Sequence, residues 1–327
     1  MNKMKYALHS LGVAFALAGA MVMSSCGKTP TNTSTSGIAT IVCDDSFENI
    51  LNQEIDVFEY IYPKASIIPY YVPEKAAIDS LLTQSTKTII VTRELTEQEK
   101  NYLKNRKLNV KQRRIAVDAI ALIVNKDNPI EILMESEIGE ILTGELACWN
   151  DIEPSKLDSI KVVFDHQNSS TVQYMRENLM AGKPFGKNVF AQGSNAGVFE
   201  AVQGNKNAIG IIGVSWVSAD MRTAEMSREE RVKALGRNDT TTTSFNADVK
   251  VLKVRPDDSI IAHQPYQAYI YDGSYPLYRS IYMITTAANG SIAHGFYSFV
   301  TGFNGQKIIQ TTGILPASVQ PRMVQLN

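Results

Sequence analysis

The sequence predicts an α/β protein of two lobes. Short apolar strands alternate with amphipathic helices along the chain, the pattern of a mostly parallel sheet covered by helices. Three of those strands run directly into polar turns that open a helix, at Asp44-Asp45-Ser46-Phe47, at Thr92-Arg93 and at Asn168-Ser169-Ser170-Thr171. Ligands of open α/β sheets gather at such carboxyl ends of strands. With an N-terminal leader set aside, about 300 residues remain, enough for two lobes.

Residues 1–25 read as an export signal: Lys3 and Lys5 precede an apolar run at residues 11–23, and Ser24-Ser25-Cys26 follows. The run is too short for a comfortable membrane span. The small residues before Cys26 resemble a lipobox, with Met23 where leucine is usual. Cys26 is therefore the expected lipidation site of a periplasmic, membrane-anchored lipoprotein, and a cleaved but unmodified signal is the alternative. Residues 26–37 are polar, nearly uncharged and aperiodic, as in a flexible tether.

Residues 38–42 form the first strand. After the acidic turn, Ile50, Leu51, Ile55, Phe58 and Ile61 share one helical face. Residues 66–72 and 88–91 are the second and third strands, with a short helix at 78–82 between them. Thr96 and Glu99 fit a capping box that opens a helix running through Leu103. Residues 115–124 form the most continuous apolar strand, placed as a crossing between lobes. A helix at 135–142 leads to Trp149, read as a core residue. Ser194 caps a helix through Val202, and Gly210 and Gly213 in the next strand allow close backbone approach. Residues 218–246 read as a surface excursion with one helix. Residues 275–284 form a second long strand, the candidate return crossing, and helices around 293–300 and 305–311 finish the fold.

Composition removes several function classes. Without Lys3 and Lys5 the 32 basic residues fall to 30 against 33 acidic ones, a formal charge of −3, which gives nucleic acid no basic footprint. There is no CxxC, and the four histidines (His9, His166, His263 and His294) are scattered, so neither a zinc site nor any other metal or cofactor is expected. Cys43 and Cys148 either pair in an oxidising compartment or remain buried thiols.

The stretch at residues 160–175 carries the sharpest signal. The β-branched Val162 and Val163 precede a turn at Asn168, after which Val172, Met175 and Leu179 resume at helical spacing. Ser169, Ser170 and Thr171 therefore sit at a helix N-terminus, where unpaired amides and the positive end of the macrodipole meet an oxyanion together with three hydroxyls. The alternative is that these hydroxyls only cap the helix.

Four further segments carry a resemblance. Ile141-Leu142-Thr143-Gly144-Glu145-Leu146-Ala147-Cys148-Trp149-Asn150-Asp151-Ile152 is similar to the segment "IFTGEITNWNDI", and Ala208-Ile209-Gly210-Ile211-Ile212 to "GAIGYV". Tyr275-Pro276-Leu277-Tyr278-Arg279 looks like "YPLSRP", and Phe299-Val300 through Gly305-Gln306-Lys307 to Gly313-Ile314-Leu315-Pro316 like "FLLSPEGQ…GYVP". In this order they resemble the phosphate-binding components of bacterial ABC importers, among the type II periplasmic binding proteins. The resemblance implies two α/β lobes, residues 38–122 with 276–327 and residues 123–275, joined by two crossing hinge strands. It also implies a protein that captures phosphate or a related oxyanion without covalent chemistry and delivers it to ABC permease subunits.

Carried over by position, the resemblance implies three ligand loops: Asp45, Ser46 and Phe47; Thr92 and Arg93; Asn168, Ser169, Ser170 and Thr171. One position departs: Asp165 stands where the family has an arginine. Two negative charges about 4 Å apart repel by roughly 4 kcal/mol at an effective dielectric near 20, half of the roughly 8 kcal/mol behind a micromolar dissociation constant. Three resolutions are open: Asp165 accepts a proton of the oxyanion while Arg93 supplies the positive charge, Asp165 points away, or the ligand is not phosphate. Two other classes stand beside the binding protein. One is an exported phosphatase using Ser46, Thr92 or Thr171 with Asp45 or Asp165. The other is a sensory or scaffolding lipoprotein that has lost its ligand.

Overall fold

The computed structural model describes residues 32–218, 227–235 and 244–318. The export signal and Cys26 lie outside the described residues. In chain order the elements begin with β1 (Ser36–Asp44), a 3₁₀ turn at Asp45–Phe47, α1 (Glu48–Ile61), β2 (Lys64–Val72), α2 (Glu74–Thr83), β3 (Thr88–Val91) and α3 (Glu97–Asn105). Next come β4 (Lys111–Asn125), β5 (Ile132–Met134), α4 (Glu135–Thr143), β6 (Lys161–Phe164), α5 (Ser170–Leu179), β7 (Val189–Ala191), α6 (Asn195–Gly204) and β8 (Ala208–Gly213). The chain ends with α7 (Val214–Val217), α8 (Arg228–Leu235), β9 (Val249–Val251), β10 (Lys253–Arg255), α9 (Gln267–Tyr271), β11 (Tyr278–Thr285), α10 (Ile292–Val300), α11 (Phe303–Thr311) and β12 (Leu315–Pro316).

The strand order β2-β1-β3-β11-β4-β8-β6-β7 makes one curled, mixed sheet of two halves. β1, β2 and β3 run parallel, as do β6, β7 and β8. β4 belongs to both halves: its residues from Lys111 to Ala119 pair with β11, and those from Ile120 to Val124 pair with β8. From Ile115 to Asn125 every residue of β4 is buried, because both faces are covered; this is why the strand reads as one long apolar run. The sheet is less parallel than the alternation of elements suggests. β11 comes back from the second half and inserts antiparallel between β3 and β4.

The return passage lies beside β4. The Ile120 N–H donates to Leu277 O at 2.8 Å, and the fully buried Tyr275 hydroxyl donates to Ile120 O at 2.6 Å. At Gly210 on β8 any Cβ would lie within 2.9 Å of Val198, Ile123 and Val202 side chains, so the absent side chain lets α6 lie directly on the sheet. The two lobes are thus packed on a common strand.

Local signals act as their chemistry dictates. Thr96 and Glu99 form the capping box of α3, Ser169 caps α5 and Ser194 caps α6. Trp149 is fully buried and donates through Nε1 to Asn207 O. Cys43 and Cys148 are both free. The tether expected through residue 37 ends sooner: Ser36 already opens β1, the Ile292 N–H donates to Asn32 Oδ1 at 2.8 Å, and Ser34 O lies so close to Gly295 that no side chain fits between. Polar, aperiodic sequence at residues 32–36 concealed this docking onto α10. Among the described residues no helix is long and apolar enough to cross a membrane.

Candidate functional site

Four segments meet where the lobes face each other. The ends of β1 and β6 bring Ser46 Oγ and Ser170 Oγ to 3.1 Å across a sequence separation of 124 residues. The Ser170 hydroxyl donates to Asp44 Oδ1 at 2.9 Å and accepts from Arg279 Nη1 at 2.8 Å. Arg279 also sends Nε and Nη2 to Asp118 Oδ2, at 3.2 and 3.1 Å, and its guanidinium carbon lies 5.0 Å from the centre of the Phe47 ring. Asp118 and Arg279 are cross-strand partners in the β4–β11 ladder, so the sheet register aims the guanidinium.

The turns that carry these groups are fixed by their own side chains. Asp44 caps the 3₁₀ turn by accepting from the Ser46 N–H at 3.0 Å, and Ser169 sets the start of α5 by accepting from the Val172 N–H at 3.3 Å. The amides of Ser170 and Thr171 in that first turn have no intrahelical acceptor and lie at the positive helix end. Hydroxyls and one guanidinium therefore converge at the first turn of a helix, a donor set suited to a desolvated oxyanion.

The surrounding charge is mostly negative. Burial pushes the Asp44 carboxyl up to about 7, with Arg279 pulling against it. Its Oδ2 is buried and has no partner among the described residues. Burial also lifts Asp118, and Arg279 draws it back. Nearby, Asp45 of the first lobe faces Asp165 and His166 of the second, with His166 Nε2 3.6 Å from Asp45 Oδ2. Burial and then the Asp165 charge raise Asp45. Both oxygens of Asp165 are buried without a partner among the described residues. Among those residues no three His, Cys, Asp or Glu side chains are placed to hold a metal ion.

From this junction a cavity of about 550 Å³ opens between α2, the turn after β3, and α5. The arrangement is a two-sided cleft floored by hydroxyls and a guanidinium, and it matches a known architecture. Residues 28–302 match the family described as the PBP superfamily domain. The chain belongs to the PBP superfamily. It is similar to the phosphate-binding protein PstS of Pseudomonas aeruginosa, 22% identical over 298 residues that make up 86% of this chain and 83% of the relative. PstS of Staphylococcus saprophyticus is 25% identical over 230 residues, 68% of this chain and 61% of that relative, so less than two thirds of the latter is spanned. The fold is similar to a structure described as a phosphate ABC transporter substrate-binding protein with bound phosphate from Clostridium perfringens. Its TM-score is 0.67 at 22% identity, covering 86% of this chain and 100% of that one. An ABC-type phosphate transport receptor from Vibrio cholerae gives a TM-score of 0.61 at 18% identity, with 85% and 99% covered.

In this PBP the residues singled out from the sequence divide into groups. Ser46, Ser170 and Phe47 stand at the junction, and Asn168 and Ser169 line the cavity beside it. Thr171 is buried in the first turn of α5, and Asp45 and Asp165 lie together across the lobe boundary. Thr92 and Arg93 line the cavity, but their polar groups are already engaged. The Thr92 N–H and hydroxyl both donate to Glu74 Oε2. Arg93 forms a two-pronged pair with Glu99, at 2.9 Å on each prong, which pulls the Glu99 carboxyl down to about 2. Arg93, which one of the three open resolutions has supplying the positive charge, is engaged by Glu99, itself held by the capping box of α3. Arg279 places a second guanidinium at the junction.

Sequence reading missed Arg279, Asp118 and Trp216, whose Nε1 donates to Ser46 O at 3.0 Å, whereas Asp44 stood in the acidic turn singled out after the first strand. A signal existed for two of them: Asp118 is a lone acid inside the apolar run 115–124, and Arg279 closes the Tyr275-Pro276-Leu277-Tyr278-Arg279 segment.

Proposed function

We propose that this PBP is an extracytoplasmic solute-binding lipoprotein. It captures phosphate or a related oxyanion between its lobes, residues 38–122 with 276–327 and residues 123–275, and delivers it to the subunits of an ABC permease. The observation that carries this reading is the Ser170 junction, where groups from both lobes and the buried Arg279 guanidinium converge at a helix N-terminus. The oxyanion takes over hydrogen bonds that Ser46, Ser170 and Arg279 now make to one another, and the amides of Ser170 and Thr171 add to them. Capture and release are then hydrogen-bond exchanges with lobe closure to exclude water, and no covalent bond forms. The phosphate-binding names of the relatives support the same ligand class.

Isothermal titration of phosphate, with sulfate as comparator, tests this on a chain starting after Cys26. Saturable phosphate binding is expected, with sulfate excluded once Asp44 is ionised, because its buried Oδ2 is then an acceptor that only a protonated oxyanion satisfies. Affinity falls between about pH 6 and about pH 8: as pH passes the Asp44 value of about 7, both the carboxyl and the ligand shed protons and repel. Ser170→Ala weakens phosphate about ten- to a hundredfold, the range for a hydrogen bond to a charged group. Absence of saturable heat with either anion overturns the proposal.

Membrane attachment is a separate expectation. Cys26→Ser moves the protein from the membrane pellet to the soluble fraction of fractionated cells; a variant that stays in the pellet removes Cys26 as the anchor.

A further inference from the structure

The cavity in front of the oxyanion floor is far larger than a tetrahedral anion and has walls of the wrong sign for one. Beyond Arg279, its walls carry the carboxylates Glu74, Asp79, Glu99 and Glu177 against two cations, Lys75 and Arg93. Both cations are already matched, Lys75 by Asp79 at 2.9 Å and Arg93 by the two prongs of Glu99. Glu74 is held as well, its Oε1 3.9 Å from Arg93 Nε and its Oε2 accepting from Thr92, whereas Glu177 accepts from the Gln173 amide and has no cation within 4 Å among the described residues. A cavity of about 550 Å³ falls within the range of about 300–1,000 Å³ that holds small organic molecules.

The geometry of α5 sets the length of such a molecule. Ser170, Gln173, Tyr174 and Glu177 line the cavity at helical spacing, so they form one face running away from the helix N-terminus. At about 1.5 Å per residue, Glu177 lies about 10 Å along the axis from Ser170. One oxyanion hydrogen bond, a two-carbon tail and one ammonium–carboxylate bond fill that span end to end. Tyr174 lines the cavity midway, its hydroxyl donating to Pro276 O at 3.4 Å.

We propose that the ligand of this cleft is a zwitterion, a phosphate monoester or phosphonate head on a short alkylammonium tail. The head occupies the Ser46, Ser170 and Arg279 floor, and the ammonium reaches Glu177. This rests on the oxyanion reading of the floor. The acidic walls, which oppose a free dianion, become the recognition element of the tail.

Titration of three probes separates the two readings: inorganic phosphate, ethyl phosphate with a neutral tail, and O-phosphoethanolamine with a cationic one. O-phosphoethanolamine is expected to bind at least about tenfold more tightly than ethyl phosphate, an advantage that shrinks with added salt. Glu177→Gln removes most of that advantage, weakening O-phosphoethanolamine while ethyl phosphate, relieved of a repelling carboxylate, binds no more weakly than to the parent, and Glu177→Asp retains part of it. Equal affinity for the two esters, or binding of inorganic phosphate alone, overturns the zwitterion proposal and leaves the oxyanion floor standing. Failure of all three probes overturns both.

Discussion

Arg279→Ala is expected to abolish oxyanion capture and to lower folding stability by about 3–5 kcal/mol, the range for breaking one side of a buried ion pair. The side chains of Arg279 and Asp118 are 4% and 0% exposed, so removing the guanidinium leaves a carboxylate with neither water nor cation. The same change strips Ser170 of its charged donor and the floor of its positive charge. Two further variants separate stability from binding. Arg279→Met with Asp118→Leu deletes both charges and is expected to recover most of the lost stability while remaining unable to bind phosphate. Arg279→Lys keeps the charge but not the fork that serves Asp118 and Ser170 together, and binding falls in between. Denaturant unfolding and titration on the same samples read both effects. Phosphate binding by Arg279→Ala at the parent affinity would remove this residue from the floor.

Glu54→Met is expected to stabilise the protein by about 1–3 kcal/mol, the cost of burying a polar group without a partner. Glu54 sits on α1 with both oxygens buried and unpartnered among the described residues. Its neighbours are apolar, Phe47, Ile90, Ile115 and Ile281 among them, around a void of about 10 Å³ that is at the threshold for one water molecule. Burial raises this carboxyl well above its ordinary value of 4.5. The unfolded chain therefore ionises Glu54 first, and stability falls as pH rises from about 4.5 until the folded group also ionises. In Glu54→Met that part of the pH slope disappears. A midpoint in denaturant that does not rise, or a pH slope identical to the parent, would show that Glu54 has found a polar partner.

The two variants also mark what the sequence reveals. Elements were legible wherever a local rule decides them: the Ser169 and Ser194 caps, the Thr96–Glu99 box and the alternation that places Ser46 and Ser170 at strand ends. Arg279 was not legible as a partner of Asp118, because their meeting depends on an antiparallel register between strands 161 residues apart. Arg93 misled for a similar reason. Its sequence position is that of a ligand residue, and only the three-dimensional placement of Glu99 shows the guanidinium engaged. Glu54 shares the helix with Leu51, Ile55 and Phe58, and a single acid there looks like the edge of a wet face until α11 and β11 close over it.

The late insertion of β11 has a consequence for how the chain is made. β3 and β4 are not neighbours; the strand that joins them is supplied by Tyr278–Thr285, made only after β9 and β10. Until that segment emerges, the first half-sheet stands with two unpaired edges facing a gap, a state that chaperones recognise and that cannot close on its own. The second half-sheet is complete as soon as β9 has followed β8, well before. Vectorial synthesis thus lets the N-terminal half-sheet close only after the second half-sheet is complete.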